Sequence, residues 1–192
     1  IGFDSCLKNN KRLKIFIDVI NNSDADLILF PGHTLRNEDD VDYVCAQLLN
    51  TTPVVVFELK DAYPANFLHT NNELYVYKDG VMYDMHTNQL FAQAEHIEGN
   101  DILMSKLFDE LPRRTFTVCN KKITILQCGE TSLLKCKRGN DNQAEFRFKD
   151  NMLLNTRYND MVSSTDIFLN PIHIAQGGRQ WLYKQKRIVL SS

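Results

Sequence analysis

The 192-residue sequence has no long apolar run and little charge imbalance, and none of the common nucleotide or zinc signatures. No stretch approaches the ~20 apolar residues of a membrane-spanning helix, and no basic-flanked apolar leader opens the chain, so a membrane partner is not expected. A formal net charge of −2 and a pI near 6.2 give no electrostatic reason to expect nucleic acid or an anionic surface. The basic clusters Arg113-Arg114 and Lys184 to Arg187 are read as solvated faces, because neither is interleaved with aromatics on a recognisable binding module. There is no G-x-G-x-x-G, phosphate-binding loop, G-x-S-x-G elbow or H-E-x-x-H, which removes local support for dinucleotide, nucleotide or zinc-peptidase chemistry. Five cysteines occur without C-x-x-C spacing or a histidine-rich partner. Neither a metal nor a redox motif is therefore expected, no cofactor is called for, and a reduced cytoplasmic setting is the simplest reading.

What is present is globular. Hydrophobic residues make up 43% and charged residues 24%, values that suit one domain over residues 1–192 with a substantial core. No internal repeat, low-complexity linker or domain boundary stands out.

The periodicities alternate. Leu13, Phe16, Ile17 and Ile20 predict an amphipathic helix over Lys8 to Ile20. Asp26 to Phe30 predicts a strand buried on both faces, ending at Pro31-Gly32-His33. Val41, Val44, Cys45, Leu48 and Leu49 predict a helix over Glu38 to Asn50, and Thr52 to Phe57 a further buried strand, with Glu58 and Lys60 as its charged edge. Asp79-Gly80 between apolar runs marks a hairpin of Leu74 to Tyr77 with Val81 to Tyr83. A short helix is expected around Ile102 to Leu107, then a second hairpin of Thr115 to Cys119 with Ile123 to Gln127. Residues 135–143 read as an exposed loop, Phe146 and Phe148 as a strand, Ile167 to Leu169 as a buried strand, and Arg179 to Leu190 as a terminal helix. The sum is an α/β protein with helices covering at least one face of a sheet.

Three apolar strands lead to reactive residues: Phe30 to His33, Gln127 to Cys128, and Leu169 through Asn170-Pro171 to His173. Ligands of open α/β sheets bind outside the carboxyl ends of strands, so Cys128, His33, His173 and Glu130 form the candidate catalytic set. A thiol becomes a nucleophile when a base or positive charge populates the thiolate, and histidine is the usual base near neutrality. Plainer roles stand beside these: a small buried hydrophobe for Cys128, hydrogen-bonded loop residues for the histidines, a cap of the next segment for Glu130. Cys6, Cys45, Cys119 and Cys136 lack a comparable setting and are read as structural.

The order of these motifs resembles the carbon–nitrogen hydrolase (nitrilase) family. Asp26 to Pro31 (DLILFP) is similar to the strand leading to that family's catalytic glutamate, and the hairpin at Asp79-Gly80 to the strand pair before its lysine. Asn120 to Glu130 (NKKITILQCGE) resembles the segment presenting the nucleophile, here Cys128; Asp166 to Pro171 (DIFLNP) and Arg179 to Ser191 resemble the strand and helix that follow. The resemblance implies an αββα sandwich of two mixed sheets, pairing into homo-oligomers, and hydrolysis of a small amide or nitrile. It also implies that the last strands of that fold are missing at the C-terminus. The chain departs from the pattern at two positions: Gly32, then His33, stand where the glutamate would be, and Thr87 stands near the lysine position. Glycine and threonine cannot act as general base or oxyanion cation, so a catalytically inactive binding or regulatory module is the alternative reading.

Overall fold

A computed structural model describes residues 9–32, 34–49, 52–59, 73–137 and 140–172. The protein is α/β, with two mixed sheets and helices. It divides into two compact units that change over between Asn88 and Gln89.

The first unit opens with α1 (Asn9–Asn21), whose residues Leu13, Phe16, Ile17 and Ile20 are all buried, as an i, i+3, i+4, i+7 stripe requires. Then come β1 (Leu27–Leu29), α2 (Glu38–Cys45), β2 (Val54–Glu58), β3 (Glu73–Lys78) and β4 (Val81–Asn88), and the sheet order is β1-β2-β3-β4. β1 pairs parallel to β2, and the other two pairings are antiparallel. The helix α2 begins where the Asn37 side chain accepts the Asp40 N–H at 2.9 Å. It stops at Cys45, short of the expected Asn50, where the chain passes into turns. The run around Leu27–Leu29 is not buried on both faces: β1 is an edge strand and its three residues are half-buried. Conversely Glu58, expected at a charged edge, is fully buried at the end of β2. Arg12 also enters the core, bonded to the Thr34 carbonyl and to Asp40 at 3.1 Å.

The second unit contains α3 (Asp101–Glu110), β5 (Thr115–Val118), β6 (Lys121–Ile125), β7 (Leu134–Lys137), β8 (Asn140–Phe146), α4 (Met152–Ser163) and β9 (Ile167–Leu169). Its mixed sheet has the order β5-β6-β9, with β5 antiparallel and β9 parallel to the central β6. Ile97, Met104, Leu107, Leu126, Leu133, Leu134, Phe146 and Leu154 form one buried cluster.

Three expectations fail in this unit, and one helix was not expected. Residues 135–137 and 140–143, expected in a loop, belong to strands: β7 and β8 pair antiparallel, with Leu134 opposite Phe146 and Lys135 opposite Glu145. Phe148 follows β8 in a turn instead of extending it. The helix α4 has no counterpart in the sequence reading, although Asn151 caps it by accepting the Leu154 N–H at 3.1 Å. Ile167–Leu169 is an edge strand, with Ile167 exposed and its neighbours half-buried, so burial on both faces is not what makes it a strand; parallel pairing to β6 is. The expected helix over Arg179 to Leu190 lies outside the described residues, as do Lys60, Cys6 and the basic cluster Lys184 to Arg187.

Candidate active site at the end of the central strand

Cys128 emerges from the carboxyl end of β6, the middle strand of its sheet. The parallel partner continues past the strand ends: Leu126 N–H donates to the Leu169 carbonyl at 2.9 Å, and Cys128 N–H to the Pro171 carbonyl at 2.9 Å. The Asn170 amide donates to the Leu126 carbonyl and, at 3.3 Å, to that of Cys128, which also accepts from the Thr131 hydroxyl at 3.2 Å. Cys128 then adopts a φ of 26°, left-handed backbone that costs an L-residue about 1–2 kcal/mol. Its side chain is half-buried. A 3-10 segment, Cys128–Leu133, leads away from it.

The next two residues lock this turn. A Cβ on Gly129 would lie 1.9 Å from the backbone oxygen of Ala92, so only glycine lets the two backbones approach this closely. Glu130 is fully buried and accepts from Gln127 N–H at 2.8 Å, Leu90 N–H at 2.8 Å and Arg114 Nη1 at 2.6 Å. Arg114, whose other terminal nitrogen reaches Glu110 at 3.0 Å, is itself fully buried. It is therefore not part of the solvated face expected of Arg113-Arg114; its two terminal nitrogens are each matched by a carboxylate, Glu130 and Glu110, as burial of a charge requires. Burial raises the Glu130 carboxyl above its ordinary value, while the Arg114 charge and the two backbone donors oppose that shift.

Of the candidate set, Cys128 and Glu130 are thus neighbours in one turn, with Glu130 directed at its scaffold. His33 and His173 lie outside the described residues. Gly32 occupies a turn and Thr87 is buried in β4. The residues that hold the turn, Arg114, Glu110 and Asn170, were not anticipated; the one sequence signal for them is Asn170 directly after the apolar run of β9. A cavity of about 530 Å³ elsewhere in the second unit is lined by Phe108, Leu111, Thr115, Thr124, Arg157 and Met161 among others, and not by Cys128.

The first unit carries a second polar grouping that the sequence reading also missed. Glu73 on β3 and Asp84 and His86 on β4 bring one donor atom each to within 4.8 Å of one another. Asp84 accepts the His86 backbone N–H at 2.7 Å and lies 2.9 Å from its ring Nδ1; the Tyr75 hydroxyl is 3.5 Å from Glu73. Burial, then the charge of Asp84, push the Glu73 carboxyl up, and burial followed by Glu73 pushes the Tyr75 phenol up.

No family model matches the chain, and no curated protein does. Among solved structures it is similar to the glutamine-dependent NAD+ synthetase of Acinetobacter baumannii, solved in complex with ADP, at 16% identity and a TM-score of 0.41. The match covers 85% of this chain and 29% of that one, so the chain spans less than a third of that protein's length. Among the described residues, no helix is long and apolar enough to cross a membrane.

Proposed function

We propose that this chain is a divergent nitrilase-like carbon–nitrogen hydrolase, with the αββα sandwich fold that such a relationship implies, acting on a small amide or nitrile through Cys128. The observation that carries the reading is the left-handed Cys128 at the end of a central strand, held by bonds on both sides of it. Strained backbone of this kind persists only where its surroundings over-determine it, and it concentrates at functional sites. On an amide, the Cys128 thiolate adds to the carbonyl carbon and the carbon–nitrogen bond breaks. The amine leaves with the proton first taken from the thiol, and water then hydrolyses the thioester to acid and thiol. His33 and His173 are the proposed bases. Glu130 is a positioning residue, because its carboxylate already accepts three bonds from the scaffold. Work in the cytoplasm as a homo-oligomer belongs to the same reading.

The alternative, a catalytically inactive nitrilase-fold binding or regulatory module, draws on the same carboxylate: Glu130 is engaged by its scaffold, and Gly32 and Thr87 stand near the positions of the family's other helpers. One experiment separates the two. Iodoacetamide should label Cys128 faster than the exposed Cys119, and hydrolysis of simple amides should vanish in Cys128→Ala. Equal labelling rates and no turnover would leave the binding module standing.

A further inference from the structure

We propose that the β3–β4 bulge binds a divalent first-row transition ion, with Zn2+ as the reference case, through Glu73, Asp84 and His86. The inference is independent of Cys128 and concerns the first unit alone.

The donor set comes first. Two carboxylate oxygens and one imidazole nitrogen, each from a different residue, converge within 4.8 Å. Zinc bonds to such donors at about 2.0–2.2 Å, which puts tetrahedral neighbours about 3.4 Å apart. Closing from 4.8 Å is a rotamer-scale movement, and the His86 side chain, 77% exposed, has room to make it. Oxygen and imidazole together favour Zn2+, Co2+ or Mn2+; an all-oxygen set would suit Ca2+, and a thiolate set Cu(I). Three protein ligands would leave a position for water.

The backbone is built around the grouping. Tyr75 pairs with Asp84 while Glu73 pairs with Asn88, so β4 uses four residue steps where β3 uses two. His86 sits in the extra turn, at a φ of 49°, with its backbone N–H bonded to Asp84. Bulges re-aim side chains in this way near sites. Tyr75, 3.5 Å from Glu73, is placed as an outer partner that orients a ligating carboxylate.

The charge balance points the same way and does not depend on the bulge. Glu73 and Asp84 crowd together, and Glu38 adds a further negative charge that acts on Glu73. Among the described residues, no lysine or arginine pairs with either carboxylate; the imidazole of His86 is their one basic neighbour. A divalent cation adds the positive charge that two close carboxylates favour.

The test is calorimetric titration of the full 192-residue chain, stripped with EDTA, with Zn2+ in a non-chelating buffer, and with Co2+ for its visible absorption. One equivalent should bind. His86→Asn, which keeps a residue tolerant of left-handed backbone, and Glu73→Gln should each weaken binding by tenfold or more. Cys128→Ser should leave the affinity unchanged. Absence of binding, unchanged affinity in both His86→Asn and Glu73→Gln, or loss of binding only in Cys128→Ser would overturn the proposal.

Discussion

Cys128 and His86 invite comparison. Each is a non-glycine residue in left-handed backbone, at φ 26° and 49°, and each stands beside carboxylates. At Cys128 the carboxylate, Glu130, is sealed from solvent and matched by Arg114 and two backbone N–H groups. At His86 the carboxylates Glu73 and Asp84 lie close together, both partly exposed, beside one exposed imidazole. The first arrangement uses charge to fix a turn, and its charge is not available to a ligand. The second sets two carboxylates against one exposed imidazole, and so remains responsive to whatever cation or proton arrives. A buried carboxylate is thus not in itself a sign of chemistry: what matters is whether its acceptor capacity is already filled.

The widest gap between the two regions should appear on removing one partner from each. Arg114→Met leaves Glu130 buried without its cation and should destabilise by about 3–5 kcal/mol, read by urea unfolding. The double variant Arg114→Met/Glu130→Gln should recover part of that loss. Asp84→Asn, which keeps an acceptor for the His86 N–H and removes a like charge, should stay within about 0.5 kcal/mol of the parent. Similar losses for Arg114→Met and Asp84→Asn would erase the distinction. Gly129→Ala follows in size, at roughly 3 kcal/mol, the upper end of overpacking, because its new methyl meets the backbone of Ala92 and no flexible side chain can yield. A neutral Gly129→Ala would mean that the turn at Cys128 is not locked.

Much of this contrast was hidden in the sequence for definite physical reasons. The stripe of α1 and the Asp79-Gly80 hairpin were legible because local periodicity and turn chemistry determine them. The helix α4 was not, because Met152 and Leu153 are strongly exposed and blur the stripe of Leu154, Tyr158, Met161 and Val162. The β7–β8 pair was masked by the charged residues Lys135, Lys137 and Glu145, although Leu134 and Phe146 face the core. At the site, Cys128-Gly129 could be picked out from a strand ending in glycine. The capping role of Glu130 was legible as well, and its carboxylate does accept the Gln127 N–H that opens the 3-10 segment; its pairing with Arg114 was not, because Arg114 sits in a basic pair and only the tertiary fold distinguishes a buried arginine from a solvated one. Glu73, Asp84 and His86 escaped notice because a ligand set split between two strands has no spacing signature, and a bulge shifts the register that would align it.

Where the two regions are alike, they should respond alike. Glycine accepts left-handed backbone without the penalty that a side chain imposes. Cys128→Gly should therefore be more stable than Cys128→Ala by about 1 kcal/mol, and His86→Gly more stable than His86→Ala by a similar amount. The Ala–Gly difference is the quantity to measure, because it removes the separate losses of the thiol and the imidazole. A difference near zero at Cys128 alone would remove the strain argument there and weaken the case for a functional thiol.

The smallest effect is a slope. Burial, and then the charge of Asp84 and its hydrogen bond, raise the Glu73 carboxyl above its unfolded value, so the folded chain holds that proton more tightly than the unfolded one. The resulting stabilisation is complete below the unfolded value and is lost as pH rises through the raised folded value. Between pH 4 and neutrality the parent should therefore lose stability relative to Glu73→Gln, whose side chain cannot ionise. Unfolding free energies of the two proteins, measured in EDTA across that range, read Glu73 together with the groups coupled to it, since titrations away from that grouping are shared. Parallel curves would mean that Glu73 is not crowded. A slope that Zn2+ suppresses in the parent, while leaving Glu73→Gln unchanged, would show proton and metal competing for the same two carboxylates, behaviour that the filled acceptors of Glu130 do not permit.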